Sequence, residues 1–239
     1  MRNILLTMSL LISFYTLSQK KYAFDYTLVY NIDKPEKNQS NVILYAVNSK
    51  ENNYVLIIHE KDSITNNLIF TDQKGILVKA KMNKSDFFKA ETIVNSCEQT
   101  FRYSSEAKFN IKKYSFINLK DTIIKDTVYY HYVLKSKKSL RYQKKKKIES
   151  AHFIIDKSAP DFIPFLYLPI LYEVWNKNKN IPNGYPKIIY YINCDGVKVA
   201  ELKLIKAVKL NKYLTIPNEC DYTNDEIRNY SPLVNFNRY

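Results

Sequence analysis

The chain has 239 residues, 46% of them hydrophobic and 14% aromatic, with only 3 Gly, a composition that suits packed strands and excludes a disordered or low-complexity protein. Its 37 Lys and Arg against 23 Asp and Glu leave a formal charge of +14, which either favours anionic partners such as lipid head groups and acidic glycans or places Lys on solvated strand faces and edges. Three Cys are too few for a disulfide-dense scaffold, and their odd number leaves at least one unpaired within the chain.

The N-terminus, MRNILLTMSLLISFYTLSQKK, places Arg2 before an apolar run from Ile4 to Ile12 that extends weakly to Leu17, then small Ser18 and polar Gln19. This is the pattern of a secretory signal peptide rather than a buried N-terminal helix, because the polar break falls where a cleavage site belongs. The run is short of the roughly 20 residues a bilayer span requires, and no second long apolar segment follows. No Cys comes directly after it, so a lipid anchor is not expected. The expectation is cleavage between Ser18 and Gln19, one β-rich domain over 19–217, and a loose polar tail over 218–239, in the periplasm or secreted.

The mature chain opens with period-2 alternation: Tyr22, Phe24, Tyr26, Leu28 and Tyr30 line one face of a predicted strand. Short strands at 41–47, 54–60, 67–71 and 76–82 follow as a meander of hairpins, separated by turns such as Asp72-Gln-Lys-Gly75. Residues 85–101 are ambiguous. Phe87, Ala90, Val94, Cys97 and Phe101 fit helical spacing, whereas Thr92, Val94 and Ser96 oppose Ile93 as in a strand, and the reading leans to strand.

The β pattern resumes at 108–118 and at 122–135, the latter with Tyr130, Tyr132 and Leu134 on one face and Tyr129, His131 and Val133 on the other. The stretch RYQKKKKI at 141–148 reads as a solvated Lys-rich hairpin or edge strand before the next strand at 152–156. In an exported chain it is no nuclear address, and no nucleic-acid module accompanies the charge. At most a weak, salt-sensitive attraction to anionic lipid or glycan is expected.

Residues 161–175, DFIPFLYLPILYEVW, break the pattern: they are dense in apolar side chains, and Pro164 and Pro169 forbid one uninterrupted helix. Pro169 suits the first turn of a short helix running to about Asn176. Asn183-Gly184 is a turn signal, and 187–192 pairs with 197–208 across Asp195-Gly196, the strongest hairpin signal in the chain. Cys194 and Cys220 are the closest pair in sequence, but the spacing does not choose between that bridge, another pairing and three free thiols.

The fold expected is mainly β, a curved antiparallel sheet or open half-barrel with one short apolar helix against its concave face. No catalytic motif, phosphate-binding Gly loop or zinc helix is present. His59, His131 and His152 all fall on predicted strands. Some of them could meet across a sheet, yet isolated strand His are more often packed side chains, so neither a metal site nor a cofactor is expected. The candidate ligand-binding residues are Phe162, Phe165, Leu168, Leu171, Tyr172 and Trp175, which either line a groove for an apolar or lipid-like ligand or simply complete the core. The expected protein is a non-catalytic envelope protein, monomeric, with an interaction or structural role as the alternative to ligand binding.

The opening DYTLVYNID, the apolar insert near 165 and the closing hairpin IIYYINCDGVKVAELKLIKAV resemble the lipoprotein-carrier (LolA/LolB-like) half-barrels of bacterial envelopes. The stretch NIPNGYPKIIYYINCDGVKVAELKLIKAV is also similar to part of the GLPGLI family of secreted bacterial proteins. The first resemblance implies an open half-barrel sheltering acyl chains, and the second a β-rich envelope protein. Neither places a functional residue.

Overall fold

The computed structural model describes residues 19–35, 39–104, 110–223 and 233–235. The expected signal peptide, 1–18, lies outside the described residues, as does most of the expected tail.

Strands β1 (Lys20–Lys34), β2 (Gln39–Val47), β3 (Tyr54–Glu60), β4 (Thr65–Asp72) and β5 (Ile76–Asn83) form the predicted meander. Helix α1 (Lys84–Lys89), β6 (Thr92–Val94), β7 (Thr100–Ser104), β8 (Tyr114–Ile124) and β9 (Thr127–Ser136) come next. Helix α2 (Leu140–Lys146), β10 (Ser150–Ile155), α3 (Pro169–Asn178), β11 (Pro186–Ile192), β12 (Lys198–Ile216) and β13 (Leu233–Asn235) complete the chain. One open sheet runs in the order β13-β7-β5-β4-β3-β2-β1-β12-β11-β10-β9-β8, with β6 beside β12. Its pairs are antiparallel apart from β6 with β12 and β7 with β13. It is a curved, mainly antiparallel sheet that does not close into a barrel, with α3 against its concave face.

The long central pair explains the shape. β1 and β12 pair from Lys20↔Ile216 to Asp33↔Glu201, with register irregularities between Phe24 and Tyr26 and between Val29 and Tyr30. Such interruptions bend a strand and increase its twist. The stripe that the sequence placed on one face is divided at the first of them, between Phe24 and Tyr26. Tyr22 and Phe24 pack with Tyr54 and Phe70 in one core, whereas Leu28 and Tyr30 pack with Tyr45 and Phe165 in the other. Alternate residues of β2 and β3 feed these two cores, so both faces of that half of the sheet are covered.

Four readings change. Residues 85–101 hold helix, strand and a short 3-10 turn in succession, because Phe87 anchors α1 into the second core while Ile93 pairs along β12. The segment 122–135 is two strands, turning at Lys125-Asp126 with positive φ at both, a conformation that no Gly announced. The stretch at 141–148 is helical, not a hairpin or edge strand. The disulfide joins Cys97 to Cys220, and Cys194 is free, its Sγ donating to the Ile148 carbonyl. Cys194 sits beyond one end of the 19-residue β12 and Cys220 just past the other, on the order of 50 Å apart along an extended strand, far outside disulfide reach. The bridge, together with the Lys20–Asp221 ion pair at 3.2 Å, ties residues 218–223 to the sheet.

Candidate functional site

Residues 156–185 connect β10 to β11, which are neighbours in the sheet, by an insertion folded across the concave face. Pro169 opens α3 as predicted, and the helix ends where Lys179 takes a left-handed conformation and donates its N–H to the Trp175 carbonyl. The Lys179 ammonium lies 3.4 Å from the centre of the Trp175 ring, a cation–π contact that shields the ring's outer side.

The insertion is held without joining the sheet. Ile163 N–H donates to the Ser49 carbonyl (2.8 Å), Asn52 Nδ2 to the Pro164 carbonyl (2.9 Å) and Asn180 Nδ2 to the Phe116 carbonyl (3.2 Å). Gly184 N–H closes the loop on the Phe162 carbonyl. Phe165 stacks near Tyr30 (6.2 Å) and meets Tyr45 edge-on (5.1 Å), while Phe162 meets Tyr26 (5.5 Å) and Tyr185 (5.3 Å) edge-on. Burial holds the phenols of Tyr30 and Tyr45 well above their usual pKa.

Of the candidate ligand-binding residues, Phe162, Phe165, Leu171 and Trp175 are buried in this core, and Leu168 and Tyr172 are half-buried at its border. Leu166, Tyr167 and Val174 join them in the core. A recess of about 10 Å³ lies at the start of the insertion, lined in part by Val47, Val55, Phe162 and Phe165.

A larger cleft of about 250 Å³ opens elsewhere, lined by Lys20, Lys21, Tyr22, Asn48, Asn53, Tyr54, Asp72 and Lys74. Asp72 is its organising group: it is buried and accepts from the N–H groups of Lys74 (2.9 Å), Gly75 (2.9 Å) and Ile76 (3.0 Å) and from the Tyr22 hydroxyl (2.5 Å).

The structure brings together two of the three His. His131 Nε2 and His152 Nδ1 are 3.1 Å apart, and the Tyr190 hydroxyl is 3.1 Å from the same His131 nitrogen. Tyr132, Phe153 and Ile189 belong to the core under the insertion, so the alternating His131, His152 and Tyr190 stand on the opposite face. Burial, reinforced by His131 and Lys135, pushes His152 down to about 4, and burial also lowers His131. His59 stands apart on β3. Cys97, Glu219 and Cys220 also converge within 4.8 Å, but their two sulfurs are joined. The period-2 pattern puts His131 and His152 on strands; their meeting depends on the β9–β10 register.

No family model matches the chain, and no curated protein matches it. Among solved structures, MucB of Pseudomonas aeruginosa in complex with MucA aligns at 5% identity and a TM-score of 0.41, covering 77% of this chain and 51% of that one. The chain thus spans about half the length of that relative. An uncharacterized conserved protein from Thermus thermophilus aligns at 8% identity and a TM-score of 0.42, covering 89% of this chain and 90% of that one. A LolA superfamily protein from Nitrosomonas europaea aligns at 14% identity and a TM-score of 0.29, covering 82% and 88%. Neither the lipoprotein-carrier resemblance nor the GLPGLI resemblance is met by a family model.

Proposed function

We propose that the chain is an exported, non-catalytic interaction module of the cell envelope, a curved β scaffold whose concave face is occupied by its own aromatic insertion. The observation that supports this reading is the packing beneath residues 156–185: Phe162, Phe165, Leu166, Leu171, Val174 and Trp175 are buried against the sheet, and the recess at the start of the insertion holds about 10 Å³, against the roughly 300 Å³ at which ligand sites begin. Partners then meet the outer surface of a monomer, with the Lys144–Lys147 run adding a salt-sensitive attraction to anionic surfaces.

A second reading is favoured by the connectivity. Because the insertion joins two adjacent strands and is tied by loop and side-chain hydrogen bonds, it can lift without breaking a ladder pair. An apolar or lipid-like chain would then lie against Phe162, Phe165, Leu168, Leu171, Tyr172 and Trp175.

Native mass spectrometry of the protein purified from its host, combined with Trp175 fluorescence during titration with a fatty acid, separates the two. The filled scaffold gives the bare mass and an unchanged emission spectrum, since this is the chain's one Trp and it is already buried. A stoichiometric lipid adduct with a saturable change in Trp175 emission overturns it in favour of the second reading.

A further inference from the structure

We propose that His131 and His152, assisted by Tyr190, form a binding site for a divalent late transition-metal ion of the Cu(II) or Zn(II) class on the sheet face opposite the insertion. Three observations carry it, independently of the function proposed above.

The first is convergence. Two imidazole nitrogens bound to one ion at ordinary metal–nitrogen distances lie about 2.8–3.4 Å apart, the lower value for square-planar and the upper for tetrahedral geometry. His131 Nε2 and His152 Nδ1 are 3.1 Å apart, and the Tyr190 hydroxyl lies within 3.1 Å of the first.

The second is the outer partner of each ring. Metal-ligating imidazoles characteristically donate their other N–H to a fixed acceptor, which sets the tautomer and turns a lone pair inward. Ser150 Oγ donates to the Ile192 carbonyl (3.3 Å), so its lone pair is free to accept from His152 Nε2 at 3.2 Å, and Nδ1 of that ring is left bare. Thr122 Oγ1 lies 3.4 Å from His131 Nδ1 and offers the same service to the second ring. Without metal, His131 Nε2–H donates to His152 Nδ1. On binding, that proton moves to His131 Nδ1, so both imidazoles stay neutral and the site itself releases no proton.

The third is selectivity. The converging donors are nitrogen and phenol oxygen, and the carboxylate opposite Tyr190 across the ladder, Glu201, is engaged by Lys198 and Lys203. Hard oxygen-seeking cations such as Ca²⁺ and Mg²⁺ gain little there, whereas ions that bond to imidazole keep their advantage.

The test is electron paramagnetic resonance of the whole mature protein loaded with one equivalent of Cu(II) at neutral pH, followed by Zn(II) titration calorimetry. Hyperfine structure from two imidazole nitrogens is expected, with H131A and H152A each losing it. Ser150→Ala keeps both rings and should weaken Zn(II) binding by about tenfold, the lower end for loss of an outer partner, with unchanged far-ultraviolet circular dichroism. His59→Ala should bind as the wild type does. A wild-type spectrum lacking two-nitrogen coupling overturns the proposal whether or not the His variants fold, and so does undiminished binding in a folded H131A,H152A chain.

Discussion

Gly184 decides how the insertion returns to the sheet. Its φ is +128°, and a Cβ there would lie 2.6 Å from the Asp156 carbonyl oxygen and 2.8 Å from Ile155 Cγ2. Gly184→Ala therefore combines a disfavoured backbone conformation with a clash against backbone, and we expect a loss of about 2–3 kcal/mol in urea unfolding. Gly196, at φ +83° in the β11–β12 turn, has nothing within 4 Å of its Cβ position, so Gly196→Ala should cost only about 1 kcal/mol. Equal losses would show that the close approach at Gly184 does not matter. Both glycines were legible as turn residues from Asn183-Gly184 and Asp195-Gly196. That one of them is also pressed against the end of β10 was not, because the contact is made by a strand distant in sequence.

At the scale of elements, the run RYQKKKKI shows why local charge misled. Lys suggested an edge, but Leu140 to Lys146 are good helix formers with Ser139 as cap, its Oγ accepting from Tyr142 N–H at 3.4 Å, and Lys147 ends the turn in a left-handed conformation. No residue of α2 is buried, so no strand pairing competed with the intrinsic preference. The Lys144–Asp195 pair is exposed on both sides, and such pairs contribute little. Changing Lys144 to Lys147 to Gln should leave the melting temperature within about 2–3 °C, while any binding to anionic vesicles weakens and loses its salt dependence. A marked fall in melting temperature would mean that the run has a structural partner. The insertion is the opposite case: Pro164, Pro169 and the density of apolar residues announced a helix on a core, and α3 follows that outline.

Across the whole molecule tyrosine is a large part of the core, with 21 in the chain and several buried in both core clusters. Burial raises Tyr30, Tyr45, Tyr103 and Tyr191 above the ordinary phenol range, burial and Asp72 raise Tyr22, and burial pushes Tyr54 up to about 12. In the unfolded chain these phenols ionise near 10. Their contribution is thus complete below about pH 10 and is lost as pH rises towards 12, where the unfolded state has shed protons that the fold still holds. Absorbance at 295 nm followed with circular dichroism should show the exposed phenols titrating first and the buried ones ionising only with loss of structure. Titration of every Tyr near pH 10 with the fold intact would contradict this arrangement.

Period-2 alternation and the Asp195-Gly196 turn were enough to establish a mainly antiparallel β chain with an apolar, proline-broken insertion, because side-chain alternation and turn chemistry are properties of neighbouring residues. Tertiary structure alone decided the rest. One aromatic stripe is divided between two cores at the register irregularity between Phe24 and Tyr26, and the length of β12 carried Cys220 away from Cys194 and beside Cys97. The β9–β10 and β10–β11 registers set His131, His152 and Tyr190 side by side. Each depends on the offset between strands far apart in the chain, which local pattern leaves open and only the pairing of the whole sheet sets.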